Sequence, residues 1–164
     1  MEATTIYGED NMSIVELSPG ESAGIEKSNS ISFADNIMLD VKEQGYYATF
    51  SVEGMADKKK LFAARNANEL LREHMGEEIE VENFVIDTQT INDADTGAKT
   101  IPCVHIIGTD GKVYQSGSTG VIKSVFDIIS SFGLPETWDE SITVKCIETN
   151  TANGFRYKQL EVVM

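Results

Sequence analysis

The chain has 164 residues, 41% of them hydrophobic and 24% charged, the balance of one ordinary globular domain rather than of a disordered polymer. Acids outnumber bases 27 to 13, a formal charge of -14, which disfavours nonspecific adhesion to duplex DNA or to an anionic membrane, so any nucleic-acid surface must be local. No apolar run approaches the roughly 18 residues of a membrane span, and the N-terminus lacks the basic and apolar regions of a secretory signal, so a cytoplasmic protein with no membrane partner is expected.

The charge is unevenly spread. Residues 1–57 are strongly acidic, with Lys27 and Lys42 their only bases. Residues 58–76 reverse the sign, because Lys58, Lys59, Lys60, Arg65 and Arg72 outnumber Glu69 and Glu73. Residues 1–45 are rich in Ser, Gly, Glu and Asn without a sustained period, though Ile14, Val15, Leu17, Ile31, Phe33 and Ile37–Leu39 supply apolar anchors. That composition reads as an acidic arm, partly disordered or ordered only against a partner, a second copy of the chain among the options. A compact domain over residues 46–164 follows.

Tyr46, Tyr47, Phe50 and Val52 suggest a strand ending before Gly54. Lys59–Ala64 reads as extended, leading into Asn66-Ala-Asn-Glu69, which approximates a capping box for a helix over Ala67–Met75 closed by Gly76. Glu77–Thr90 alternates and then turns apolar on both faces, a long strand whose second half goes inside. A polar turn at residues 92–97 leads to a strand over Lys99–Gly108, and Asp110-Gly111 is a strong hairpin signal before the strand that opens at Val113-Tyr114. Val121, Val125, Ile128, Ile129 and Phe132 recur at three and four residues, predicting a buried helix over Thr119–Phe132. Ile142, Val144 and Cys146 alternate on a further strand, and Asn153-Gly154 turns the chain into a last strand over Phe155–Val163.

Strand, strand, strand, helix, strand, strand is the order of the OB-fold, a five-stranded antiparallel barrel that holds oligonucleotides across strands two and three and under two of its loops. The fold class expected is therefore mainly β and OB-fold-like, with one helix between strands three and four and a short strand and helix in front. An antiparallel sheet with a helix on one face is the competing architecture.

Leu61–Val163 also resembles a protein family. The features that carry the resemblance are Lys60-Leu-Phe-Ala-Ala-Arg-Asn66, Gly76-Glu-Glu-Ile-Glu-Val81, Asp95-Thr-Gly97, Gly111-Lys-Val-Tyr114, Gly120-Val-Ile-Lys-Ser124, Phe132-Gly-Leu-Pro135 followed by Trp138, and Leu160-Glu-Val-Val163. In order and spacing they are similar to the single-stranded DNA-binding proteins of tailed phages of Gram-positive hosts, including the protein-primed Bacillus phages. The resemblance implies a phage-encoded protein in the host cytoplasm that coats strands displaced during replication, with single-stranded DNA and phage replication proteins as partners.

Sequence-tolerant binding of a single strand requires aromatic faces for the bases and cations for the phosphates. Phe155-Arg156-Tyr157-Lys158 alternates the two kinds on a strand, so the aromatic or the basic pair faces the DNA unless a bulge brings both round; alternatively the rings fill the interior and the cations are solvated. Lys112 and Tyr114 would share a face on the expected platform, although a strand tyrosine is as often half-buried core. Lys145 points outward beside Val144 and Cys146. Lys59, Phe62 and Arg65, with Lys58 and Lys60, form the basic concentration of an acidic chain, a guide for a phosphate backbone or a solubilising junction. Trp138 is expected to pack over the helix end.

Catalysis is not expected, because no nucleophile elbow or phosphate-cradling glycine loop is present and no carboxylate pair stands out from Glu78, Glu80 and Glu82 on one strand face. Cys103, His105 and Cys146 lack the paired spacing of a zinc site, Asp93-x-Asp95-x-Gly97 lacks the later ligands of a calcium loop, and Cys103 and Cys146 read as buried, reduced thiols. No cofactor or metal is expected. The rival from another class is an acidic protein-binding module, a DNA mimic or host-factor inhibitor, favoured by the net charge.

Overall fold

The computed structural model describes residues 32–164. Residues 1–31, and with them the anchors Ile14, Val15, Leu17 and Ile31 of the expected arm, lie outside the described residues. The chain divides into two compact units between Glu43 and Gln44. Helix α1, Phe33–Gln44, belongs to the first but for its last residue and stands where no regular element was expected. Ser32 starts it, its hydroxyl accepting from the Asp35 amide at 3.0 Å; Asp35 in the first turn and Lys42 in the last complement the helix dipole. Ile37 and Val41, one turn apart, are its buried residues.

The second unit is mainly β: a curled, mixed sheet of seven strands, with two helices of its own. In chain order it contains β1 (Tyr46–Ala48), α2 (Met55–Arg65), β2 (Glu69–Leu70), a 3-10 turn (Leu71–His74), β3 (Glu78–Asp93), β4 (Gly97–Gly108), β5 (Val113–Ser116), α3 (Thr119–Phe132), β6 (Ile142–Asn150) and β7 (Arg156–Val162). The strands lie in the order β2-β5-β4-β3-β6-β7, with β1 also paired to β3. All pairs are antiparallel except β2 with β5. The sheet thus has seven strands where a five-stranded barrel and one short strand in front of it were expected, and β5 and β7 are not hydrogen-bonded to each other.

The region ahead of β3 departs from expectation. Lys59–Ala64 is helical, inside α2, and Ala67–Met75 holds β2 and a 3-10 turn instead of a helix. Met55–Arg65 is a run of good helix formers without Gly or Pro, with Asp57 in its first turn and Arg65 in its last. Asn66 ends this helix rather than starting the next one, its side-chain amide donating to the Phe62 carbonyl at 2.9 Å. The apolar stripe is narrow: Ala64 is buried against Val85 and Ile107, with Leu61 beside it, while Met55 and Phe62 are exposed. A small residue at the contact lets the helix lie close to the sheet, and its weak amphipathicity hid it. Downstream, pairing of Glu69 and Leu70 with Tyr114 and Gln115 and burial of Leu71 outweigh local helix propensity. Past the end of β1 the Thr49 amide still donates to the Phe84 carbonyl at 3.0 Å, and its buried hydroxyl donates to Asn83 and accepts from the Phe84 amide.

The elements from Glu78 onward follow the sequence pattern. β3 pairs with β4 from Val81 to Asp93, with a bulge between Val81 and Asn83. On its other side Glu78–Val81 meets β6 and residues 85–87 meet β1. The polar turn at 92–97 is tightened by Asp93, whose carboxylate accepts from the amides of Asp95 and Thr96, and those two donors hold its pKa below the ordinary carboxylate value. Phe84, Ile86, Val104, Ile106, Val144 and Cys146 are core residues, as are Val121, Ile122, Val125, Phe126, Ile128 and Ile129 of α3. α3 spans the expected residues and ends at Gly133, whose positive φ an L side chain resists. Trp138 covers that end, its indole N–H donating to the Gly133 carbonyl at 2.9 Å.

Where β5 and β7 fail to pair, α3 takes their place. The Ser124 hydroxyl accepts from the Leu160 amide of β7 at 3.0 Å and donates to the Gly120 carbonyl at 2.8 Å. An edge amide that a neighbouring strand would have paired is thereby satisfied from a helix side chain.

Candidate functional site

A groove of about 330 Å³ opens near this unpaired edge. Leu70 and Arg72 line it from β2 and the 3-10 turn, Gln89 from β3, Ile101 and Cys103 from β4, Gln115–Ser118 from β5 and the loop into α3, and Lys158 from β7. Two cations and a set of amides and hydroxyls therefore converge, and no carboxylate is among the lining residues, in a chain of net charge -14. Gln89 donates to the side-chain carbonyl of Gln115 at 3.1 Å, tying β3 to β5 across β4 along the groove.

The residues singled out from the sequence have separate fates. Lys158 lines the groove. Phe155, 71% exposed, sits at the turn before β7, and Tyr157, 41% exposed, lies on β7 with its ring close to Gly120, so neither ring is absorbed by the core. Arg156 is exposed and faces Glu148 at 3.7 Å, and Lys145 pairs with Glu161 at 3.6 Å. Lys112 is exposed in the Asp110-Gly111 turn, whose geometry Asp110 fixes by accepting from the Lys112 amide at 3.0 Å. Tyr114 is not on a shared platform with it: the ring is 6% exposed, edge-on to His74 at 4.9 Å, and burial raises the phenol pKa.

On α2, Lys59 and Phe62 are exposed, Phe62 at 70%. Arg65 is engaged in the structure itself. Its Nε donates to Asp87 at 2.9 Å, a terminal nitrogen reaches the Gly45 carbonyl at 3.3 Å, and the guanidinium lies over the Tyr46 ring at 5.7 Å. Lys60 pairs with Glu82 and lies over Phe50 at 4.4 Å. The basic cluster 58–65 therefore splits, half of it pinning the helix to the sheet and half of it free on the outer face.

Sequence reasoning passed over Arg72, Gln89 and Gln115. Arg72 was visible as the last base of the basic block; the two glutamines carried no signal, since their proximity arises from strand pairing. Among the described residues one group could bring metal-ligand atoms together, Asp87, Cys103 and His105, within 4.8 Å of one another. Cys146 is not in it. His105 Nε2 donates to Asp87 at 2.9 Å, and Arg65 binds the other oxygen of the same carboxylate. Burial pushes the Cys103 thiol up to about 12. A carboxylate already compensated by a guanidinium, beside a thiol held protonated, is a buried ion-pair network that ties α2 to β3 and β4.

No curated relative and no solved structure matches the chain. Among the described residues no helix is long and apolar enough to cross a membrane. Residues 40–163 match the model of the Phi29 phage single-stranded DNA-binding protein family, which takes in the whole second unit except its last residue. The chain belongs to that family of non-catalytic DNA-binding proteins and is a single-stranded DNA-binding protein of phage replication.

Proposed function

We propose that the single strand runs through the groove between the Leu70–Arg72 wall and Ser116–Lys158, with Arg72 and Lys158 taking its phosphates and the rings of Phe155 and Tyr157 stacking its bases. The observation that carries this reading is the carboxylate-free lining of a groove on a strongly acidic molecule; β7 pairs in regular register without a bulge, so the exposed Tyr157 ring lies on the face opposite Lys158 and takes bases where the strand leaves the groove. Long-range repulsion from the net charge is then offset only where the cations converge, and stacking, at about 1–3 kcal/mol per base, does not depend on sequence. Lys59 and Phe62 on the outer face of α2, and Lys112, Lys145 and Arg156 at the periphery, extend the path of the backbone. Tyr114 and Arg65 support the site from within.

The strand order β5-β4-β3-β6-β7, with α3 following β5, supports reading these five strands as an OB-like half-barrel. Its open side is the groove, which β2 flanks, and β1 and α2 are additions to the five strands. In this reading residues 46–164 are the DNA-binding domain. The acidic arm, residues 1–45, joins protomers or contacts other replication proteins. The protein coats displaced strands in the host cytoplasm and shields them from nucleases and re-annealing.

The test is a titration of labelled oligothymidine and of duplex of equal length at two salt concentrations. Preferential binding of the single strand that weakens as salt rises supports the reading. Equal affinity for both, or an R72A/K158A double variant that binds as well as the parent, overturns the groove assignment.

A further inference from the structure

The groove wall that carries Arg72 is held weakly by its strand. β2 is two residues long and pairs, in parallel, only with Tyr114 and Gln115. The 3-10 turn Leu71–His74 follows at once, anchored by the buried Leu71. What closes this segment on itself is His74. Its Nε2 lies 3.1 Å from Glu69, before the turn, and its Nδ1 3.0 Å from Glu77, after it, while the ring packs edge-on against Tyr114 at 4.9 Å.

We infer that His74 is a positioning residue for the DNA groove: it clamps Glu69 to Glu77 and so holds Arg72 in the wall without touching the strand itself. This rests on the reading of the groove given above. Both ring nitrogens face carboxylates, which only accept, so the clamp is complete only in the imidazolium, which donates from both. The two carboxylate contacts raise the pKa of His74 above the ordinary histidine value. Once the ring loses its proton, one lone pair faces a carboxylate and that arm opens. The charged and titratable groups around the clamp are Glu69 on β2, Arg72 and Glu73 on the turn, Glu77 ahead of β3, Tyr114 on β5 with Asp110 and Lys112 acting on it, and, on β6, Cys146, whose carbonyl accepts from the Gly76 amide at 2.9 Å. The chain has 2 histidines, and the other, His105, is fully buried against Asp87.

Sign follows from the direction of the shift. The clamp is complete below the ordinary histidine pKa and is lost as pH rises through the raised value, so affinity for the strand should fall over that interval. The experiment is a fluorescence-anisotropy titration of the full chain with labelled oligothymidine between about pH 5.5 and 9 at fixed salt, beside an NMR titration of the His74 ring.

The expected result is a several-fold fall in affinity centred on the pKa that NMR assigns to His74. H74Q should match the parent at high pH and fall below it only at low pH, and R72A should bind weakly with no step. E69Q/E77Q should shift the step to lower pH, which keeps the test available even if H74Q does not fold. A step that persists in H74Q, an equal loss at every pH, or a step unmoved in E69Q/E77Q overturns the clamp. A parent protein that binds no oligothymidine at any pH fails the groove reading instead, whereas one that binds without a step fails this inference alone.

Discussion

Gly120, in the first turn of α3, rests on the backbone of Lys158 in β7, and a Cβ placed on it would overlap the Lys158 carbonyl oxygen and press on the Tyr157 ring. The two residues mark where the helix stands in for a strand at the unpaired edge, with the Ser124 hydroxyl bridging Gly120 and Leu160. The same Lys158 lines the groove. Backbone contact at Gly120 therefore sets the position of a groove cation.

G120A should consequently cost about 1–3 kcal/mol of stability, the usual penalty of an overpacked contact with backbone. Because relief requires β7 to move, the variant should also lose affinity for oligothymidine while still folded. Denaturant unfolding and anisotropy on the same preparation separate the two effects; a variant as stable as the parent would show that the helix can slide outward freely.

Arg65 and Arg72 stand seven positions apart in the same basic stretch, yet they should behave oppositely. R65A strips the guanidinium from Asp87, whose side chain is 4% exposed, and should destabilise the fold by about 1–3 kcal/mol. Binding of oligothymidine by the folded fraction should change little. R65K restores charge but not the bonds to Asp87 and Gly45 that a planar fork makes, so rescue should be incomplete.

Exposed rings and the buried one give a second contrast. F155A and Y157A should leave unfolding within about 0.5 kcal/mol of the parent, as surface substitutions do. Each should weaken binding by about 1–3 kcal/mol per base unstacked. Y114A should do the reverse, losing stability first. Equal effects of all three on binding alone would mean that Tyr114 becomes exposed in the complex.

The Cys103 thiol, pushed up to about 12 by burial, should be inert to iodoacetamide in the native protein at pH 8 and react only on unfolding. The linkage has a definite sign. Between the ordinary thiol value of 9.0 and about 12 the unfolded chain loses this proton while the folded one keeps it, so stability falls as pH rises through that window. C103A should flatten that part of the stability profile; an unchanged slope would assign it to other groups.

Much of the second unit was legible before any coordinates. α3 announced itself by Val121, Val125, Ile128 and Ile129 recurring at three and four residues, all buried, although Phe132 at the end of that stripe is exposed, and the hairpins at Asp110-Gly111 and Asn153-Gly154 by residues that tolerate positive φ. α2 did not, because its contact with the sheet is made by Ala64 and Leu61 while Met55 and Phe62 face solvent, so hydrophobicity gave no stripe. Nor did β2, whose two residues owe their conformation to Tyr114 and Gln115 more than forty positions later.

By itself, then, the order of residues determined the periodic elements, the turns between them and a family membership written in short spaced motifs, since each depends on neighbours within a turn or a hairpin. Only the tertiary structure decided that Arg65 is spent on Asp87, that Arg72 and Lys158 line one groove, and that Gln89 reaches Gln115. Those encounters depend on strands that are distant in the chain being laid side by side, and on the outer edge of β7 being left without a partner strand among the described residues.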